Sequence, residues 1–146
     1  MAVKYYAKFN GIDGDVTNRD YLKWVDVLSY AWDTTRTFGA DGGLGNSPLR
    51  VTTLMGKHST PLMLRLATNQ AIGEVRLAGV TGSVKFMEIK LTGGLLAACD
   101  TAASASADYP AEVYAFRYNR IEVNYWPVAN GVQGALLAAD WAAGEF

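Results

Sequence analysis

The last third of the chain, residues 110–146, reads PAEVYAFRYNRIEVNYWPVANGVQGALLAADWAAGEF. Its apolar and polar side chains alternate as in half-buried β-strand, with breaks at Pro127 and at Asn130-Gly131. Strands are expected at about 112–118, 120–126 and 133–141. The segment places no nucleophile beside a base and holds neither a metal-ligand cluster nor a phosphate loop. A chain whose strongest pattern is a sheet without a reactive group is expected to be a building block rather than an enzyme.

The rest of the sequence extends the sheet. Residues 3–9 form an aromatic-rich strand pattern closed by Asn10-Gly11 and Asp13-Gly14. Residues 22–32 read as one long strand, with Trp24, Leu28, Tyr30 and Trp32 on one parity and Val25, Val27, Ser29 and Ala31 on the other. Both faces are rather apolar, as expected where one meets a core and the other a partner or helix. Residues 33–48 hold four glycines within seven positions (Gly39, Gly42, Gly43 and Gly45), which excludes a stable helix and predicts a long loop. Ordering it costs on the order of 1 kcal/mol per residue in backbone entropy, so an external surface is expected to offset that cost. Arg36, Phe38 and Leu44 are the expected loop contacts. One helix is predicted after Ser59-Thr60-Pro61, with a hydroxyl cap, proline at its first position and Gly73 as its stop. Strands follow at 74–77, 86–92 and 95–99, with a bend at Gly93-Gly94 and a small-residue loop at 101–109. Roughly eight or nine short strands around one helix predict a mainly-β domain, a barrel or a two-sheet sandwich.

Composition narrows the function. At 146 residues the chain suits one domain, 1–146, large enough to fold without a metal or disulfide. A formal net charge of −1, with no run of lysine or arginine, argues against nucleic acid. Only 18% of residues are charged, which suggests that part of the surface is covered. No stretch is long and apolar enough to insert in a membrane, and the N-terminus lacks the apolar core of a signal peptide. The expectation is synthesis in the cytoplasm and export by a route that reads no such signal.

Candidate chemistry fails on spacing. Gly56-Lys57-His58 lacks both the upstream glycine and the hydroxyl residue of a phosphate loop. His58 is the single histidine, so a multi-histidine metal site is excluded. No nucleophile elbow sets a serine to act with it, and a surface or cap-adjacent histidine is expected. Asp13, Asp15 and Asp20 do not follow a calcium loop, because Trp24 stands where the terminal glutamate belongs. Glu112 and Glu122 could in principle pair as acid and base, although solvent or subunit contacts are the plainer role. Cys99 is read as a small buried hydrophobe. The tryptophans are read as packing or interface anchors rather than a stacking platform. No cofactor and no catalytic residue is expected.

Several blocks together resemble the Hcp family, the tube protein of bacterial type VI secretion systems. Tyr6-Ala7-Lys8-Phe9-Asn10-Gly11-Ile12-Asp13-Gly14-Asp15 is similar to that family's opening YLKIDGIKGE. Val25-Asp26-Val27-Leu28-Ser29-Tyr30-Ala31-Trp32 is similar to IDVLSWSWG. A glycine-rich extended loop and Ser59-Thr60-Pro61-Leu62 follow in order. Pro110, Glu112, Tyr118, Ile121, Tyr125, Pro127, Gly131 and Trp141 complete the resemblance at similar spacings. It implies a small antiparallel β-barrel with one flanking helix, assembling as hexameric rings that stack into a hollow tube. A contractile sheath would drive the tube, with spike and baseplate proteins as partners and effector cargo in the lumen. It also implies that the loop reaches a neighbouring subunit. Trp24, Leu28, Tyr30, Tyr118, Ile121 and Tyr125 are the expected core or interface anchors. The rival expectations are a monomeric barrel binding a ligand or glycan, and a hydrolase using Glu112 with Glu122, or His58.

Overall fold

In the computed structural model, which describes residues 2–36, 43–105 and 109–143, strand accounts for 58% of the chain and helix for 9%. The mainly-β expectation with one flanking helix therefore holds. The chain runs through β1 (Val3–Phe9), β2 (Val25–Val27), β3 (Ser29–Ala31), β4 (Thr34–Arg36), β5 (Leu44–Asn46) and β6 (Leu49–Leu54). After α1 (Ser59–Ala67) come β7 (Gly73–Thr81), the long β8 (Val84–Ala102), β9 (Ala111–Arg117) and β10 (Arg120–Tyr125). β11 (Val128–Ala129), β12 (Val132–Gln133) and β13 (Leu137–Ala142) complete it. Nine strands make one antiparallel sheet in the order β2-β1-β7-β8-β9-β6-β3. β10 lies beside the first part of β8, and β13 lies outside β10.

The expected barrel is not closed by hydrogen bonds. The path ends at β2 and β3, and no ladder joins those two strands. Chain continuity joins them, because only Leu28 separates them. Residues 22–32 are accordingly not one strand of constant parity. Val25 and Val27 are buried, whereas beyond the corner Tyr30 and Trp32 turn inward to pack against the core. Leu28 sits at the inversion, exposed, with its N–H donated to the Thr52 carbonyl at 2.8 Å.

A second corner folds the sheet over its core. β8 pairs with β7 and β10 before Gly93 and with β9 after it, so the Gly93-Gly94 pair bends a strand rather than ending one. Gly93 has φ +70, and a Cβ there would lie 2.2 Å from Asn119 Nδ2. Glycine supplies that left-handed conformation without steric cost. Asn119 is the break between β9 and β10, and its N–H donates to the Thr92 carbonyl at 2.8 Å. The bend in β8 and the break beside it thus coincide, and the halves enclose one core. Phe9 of β1 stacks on Phe116 of β9 with ring centroids 5.2 Å apart. Leu77, Leu91, Val51 and Leu62 are fully buried around them. Each such side chain contributes about 2 kcal/mol of hydrophobic stabilisation.

The helix is displaced from its sequence expectation at both ends. His58 is the N-cap, Ser59 the first helical residue and Pro61 the third, where a proline still removes no intrahelical bond. The stop is Asn69 rather than Gly73. Asn69 has φ 54, its N–H reaches the Leu66 carbonyl, and the Gln70 N–H reaches that of Arg65 at 2.9 Å. This is the Schellman closure, with asparagine in the left-handed position. Leu62 enters the core, while Ile72 is buried beyond the helix with its N–H on the Gly94 carbonyl.

Candidate functional site

The glycine-rich segment is not an irregular loop where it is described. β4 and β5 pair as a separate two-stranded arm, with Arg36 opposite Leu44 and Thr34 opposite Asn46. All of β4 is exposed. The root of the arm is tied to the core by polar contacts on large aromatics. Trp32 Nε1–H donates to the Tyr118 hydroxyl at 2.6 Å, and that hydroxyl donates to the Ser47 carbonyl at 3.0 Å. The Ser47 N–H closes the root on the Asp33 carbonyl at 3.0 Å. Of the expected loop contacts, Arg36 and Leu44 therefore face each other across the arm, and Phe38 lies outside the described residues.

An apolar surface adjoins the same root. Trp32, Val123, Tyr125, Leu137 and Trp141 line a shallow open depression on β10 and β13. Tyr125 and Leu137 are direct cross-strand partners and are 48% and 62% exposed, which leaves their apolar faces in water. β13 pairs only with β10, so its outer edge carries no ladder among the described residues.

The expected anchors separate accordingly. Tyr118 and Ile121 belong to the core, and Tyr30 packs against it. Trp24 belongs to a satellite cluster with Tyr6, Val16, Val80 and Tyr21. Leu28 and Tyr125 are exposed. Trp32 and Trp141 lie 6.0 Å apart, and Trp126 carries Lys85 Nζ 4.8 Å from its ring centre.

Two of the candidate catalytic residues, Glu112 and His58, meet in a buried polar cluster. Glu112 on β9 has no exposed surface. Its Oε1 accepts from Ser59 Oγ at 2.6 Å and from the Tyr114 hydroxyl. Glu122 lies on another strand, opposite Lys90 and Asp140 in register. His58 is buried, not on the surface, and its Nε2 lies 2.8 Å from Thr53 Oγ1 and 3.9 Å from Glu112 Oε1. Ser59 is therefore directed to the carboxylate and not to the imidazole. Burial, followed by the bond to Glu112, raises the Tyr114 hydroxyl far above its usual range. Cys99 is only partly buried, and desolvation together with Glu112 keeps its thiol protonated. Sequence reasoning missed this cluster. The available signal was that Glu112 falls in phase with the inward-facing Tyr114 and Phe116.

Burial lowers the His58 pKa below 6.5 and outweighs the opposing pull of Glu112 and Asp15. As pH falls through 6.5 the unfolded chain therefore takes up this proton before the folded one does. This group's contribution should decline from there down to its folded pKa and level off below it. Because the chain has one histidine, a proton NMR titration reads this group alone. A folded-state midpoint below 6.5 is expected, and a midpoint above that value would contradict the burial argument.

The family model described as type VI secretion system effector, Hcp, matches residues 6–125. The chain belongs to the Hcp family. It is a tube subunit of type VI secretion. No curated protein matches the chain significantly. Among solved structures, a type six secretion system protein is 26% identical with TM-score 0.88, covering 97% of this chain and 96% of its own. A type VI secretion system effector from Yersinia pestis, 19% identical, has TM-score 0.83 with 95% and 99% covered. Hcp1 from Salmonella typhimurium, 20% identical, has TM-score 0.85 with 97% and 95% covered. The last two show a shared fold alone.

Proposed function

We propose that this Hcp-family chain works by self-association and not by catalysis, forming hexameric rings that stack into a hollow tube. The observation that carries the reading is the unpaired edge of β13 beside the exposed apolar face of Tyr125 and Leu137. An edge of this kind invites aggregation unless a partner covers it, and a closed ring covers it on every subunit. The arm supports the same reading, because its rigid root holds the exposed Arg36 and the half-buried Leu44 away from the sheet. Arg36, Phe38 and Leu44 are proposed contacts to a neighbouring subunit or ring, and Leu28 and Tyr125 are proposed interface anchors. Sheath, spike and baseplate proteins are the proposed partners, with effector cargo in the lumen and export through the apparatus itself. Among the described residues no helix is long and apolar enough to cross a membrane.

Light scattering on a sizing column tests this directly. A particle of several subunits at micromolar concentration is expected. A stable monomer would favour the rival reading, a ligand- or glycan-binding module.

A further inference from the structure

A recess of about 200 Å³ opens between the loop after β1, strand β2 and the turn that leads into α1. Its polar side chains are two carboxylates, one imidazole and one phenol: Asp15, Asp26, His58 and Tyr109. Asp26 is exposed, and its side chain makes no hydrogen bond or ion pair with a described residue. His58 is only 2% exposed, yet its Nδ1 has no hydrogen-bond partner. That nitrogen lies on the recess side. A methyl group placed on Gly56, which also lines the recess, would come 3.3 Å from His58 Nδ1 and 2.5 Å from Asp15 Oδ2.

The tautomer follows from the buried side of the ring. Nε2 lies 2.8 Å from Thr53 Oγ1 and 3.9 Å from the Glu112 carboxylate; the nearby anion favours the tautomer protonated at Nε2, in which Nδ1 is an acceptor. Asp15 and Asp26 offer the recess two anionic acceptors, and the Tyr109 hydroxyl at its exposed rim can both donate and accept. Among the described residues no three metal-binding groups meet around one point, so the acceptors do not form a metal site. Leu28 and Met55 flank them, 57% and 42% exposed, and offer an apolar wall to a hydrocarbon stem.

We infer that this recess binds an alkylguanidinium group, the chemistry of an arginine side chain. A guanidinium spreads five N–H donors over a planar fork, which suits separated acceptors better than a point charge does. Its stem would lie along Leu28 and Met55 while the charged head meets Asp26, Asp15 and His58 Nδ1. Lys57 Nζ, 3.9 Å from Asp15 Oδ1 and largely exposed, is the nearby cation that the ligand would displace toward solvent.

Amide-resolved NMR titration of the intact chain tests the assignment, using n-butylguanidinium as the probe and n-butyrate as its anionic control. Saturable shifts at Gly56 and Lys57 are expected for the cation alone. Lys57 N–H is a direct reporter, since it donates to Asp15 Oδ2 at 3.0 Å. Asp26→Asn, a surface change that leaves the core intact, should weaken the probe by about tenfold, as loss of one charge-assisted bond does. Gly56→Ala should block the recess. A capped Leu-Arg-Leu peptide distinguishes the source. Tighter binding than the free probe supports a protein side chain, and equal binding supports a small guanidine in the same site. Equal shifts with butyrate, no saturable shift with butylguanidinium, or unchanged affinity in Asp26→Asn would overturn the inference.

Discussion

Glu112→Ala is expected to lower the stability of the folded subunit by about 3 kcal/mol, because it strands two buried hydroxyl donors and opens a void. Ser59 Oγ and the Tyr114 hydroxyl both donate to Glu112 Oε1. All three residues are buried, so water does not replace the lost acceptor cheaply. Glu112→Gln keeps an oxygen for both donors and removes a buried charge, so it should retain most of the stability. The pair separates two roles for this residue. A structural acceptor predicts a large midpoint shift in urea for alanine and a small one for glutamine. The glutamine variant also has an electrostatic signature. Glu112 pulls the His58 pKa upward against burial, so removing its charge should move the His58 titration still lower. An unchanged His58 midpoint would mean that the two side chains are not coupled across their 3.9 Å separation.

The second large effect concerns assembly. Tyr125→Asp combined with Leu137→Asp should leave the monomer folded and weaken self-association by roughly a hundredfold or more, since an interface would have to bury unpaired carboxylates. Both positions are substantially exposed in the single subunit, so neither change touches the core. They are also cross-strand partners, so both carboxylates fall on the same patch of the proposed interface. Sedimentation velocity reads the result, and circular dichroism confirms that the strands persist. Unaltered assembly in this variant would move the subunit contact away from the β10 and β13 face.

Much of the sheet was legible because alternation survives in short strands. The predicted first strand coincides with β1, and the expected 112–118 and 120–126 fall within a residue of β9 and β10 at each end. Two of the departures lie at corners of the sheet. The bend expected at Gly93-Gly94 is present, but it does not separate 86–92 from 95–99 as two strands: one glycine at φ +70 lets β8 bend and run on, 19 residues in all. Leu28 lies on an apolar parity and reads as a core or interface position; the corner reverses the inward face and leaves it exposed, outside the core. Parity is a property of one straight strand, and it carries no information across a corner. The arm was hidden because glycine-rich sequence carries no alternation, although Thr34 and Asn46 pair across it. Glu112 was read for its chemistry when its phase relative to Tyr114 and Phe116 placed it inside. The exposed outer edge of the C-terminal strands was not legible, because pairing partners are a tertiary property.

Electron microscopy of the purified chain tests the central claim most directly. Self-association through these surfaces predicts rings with a central hole, and stacks of such rings at higher concentration. A field of isolated globules the size of one subunit, at concentrations where the chain is folded, would contradict it.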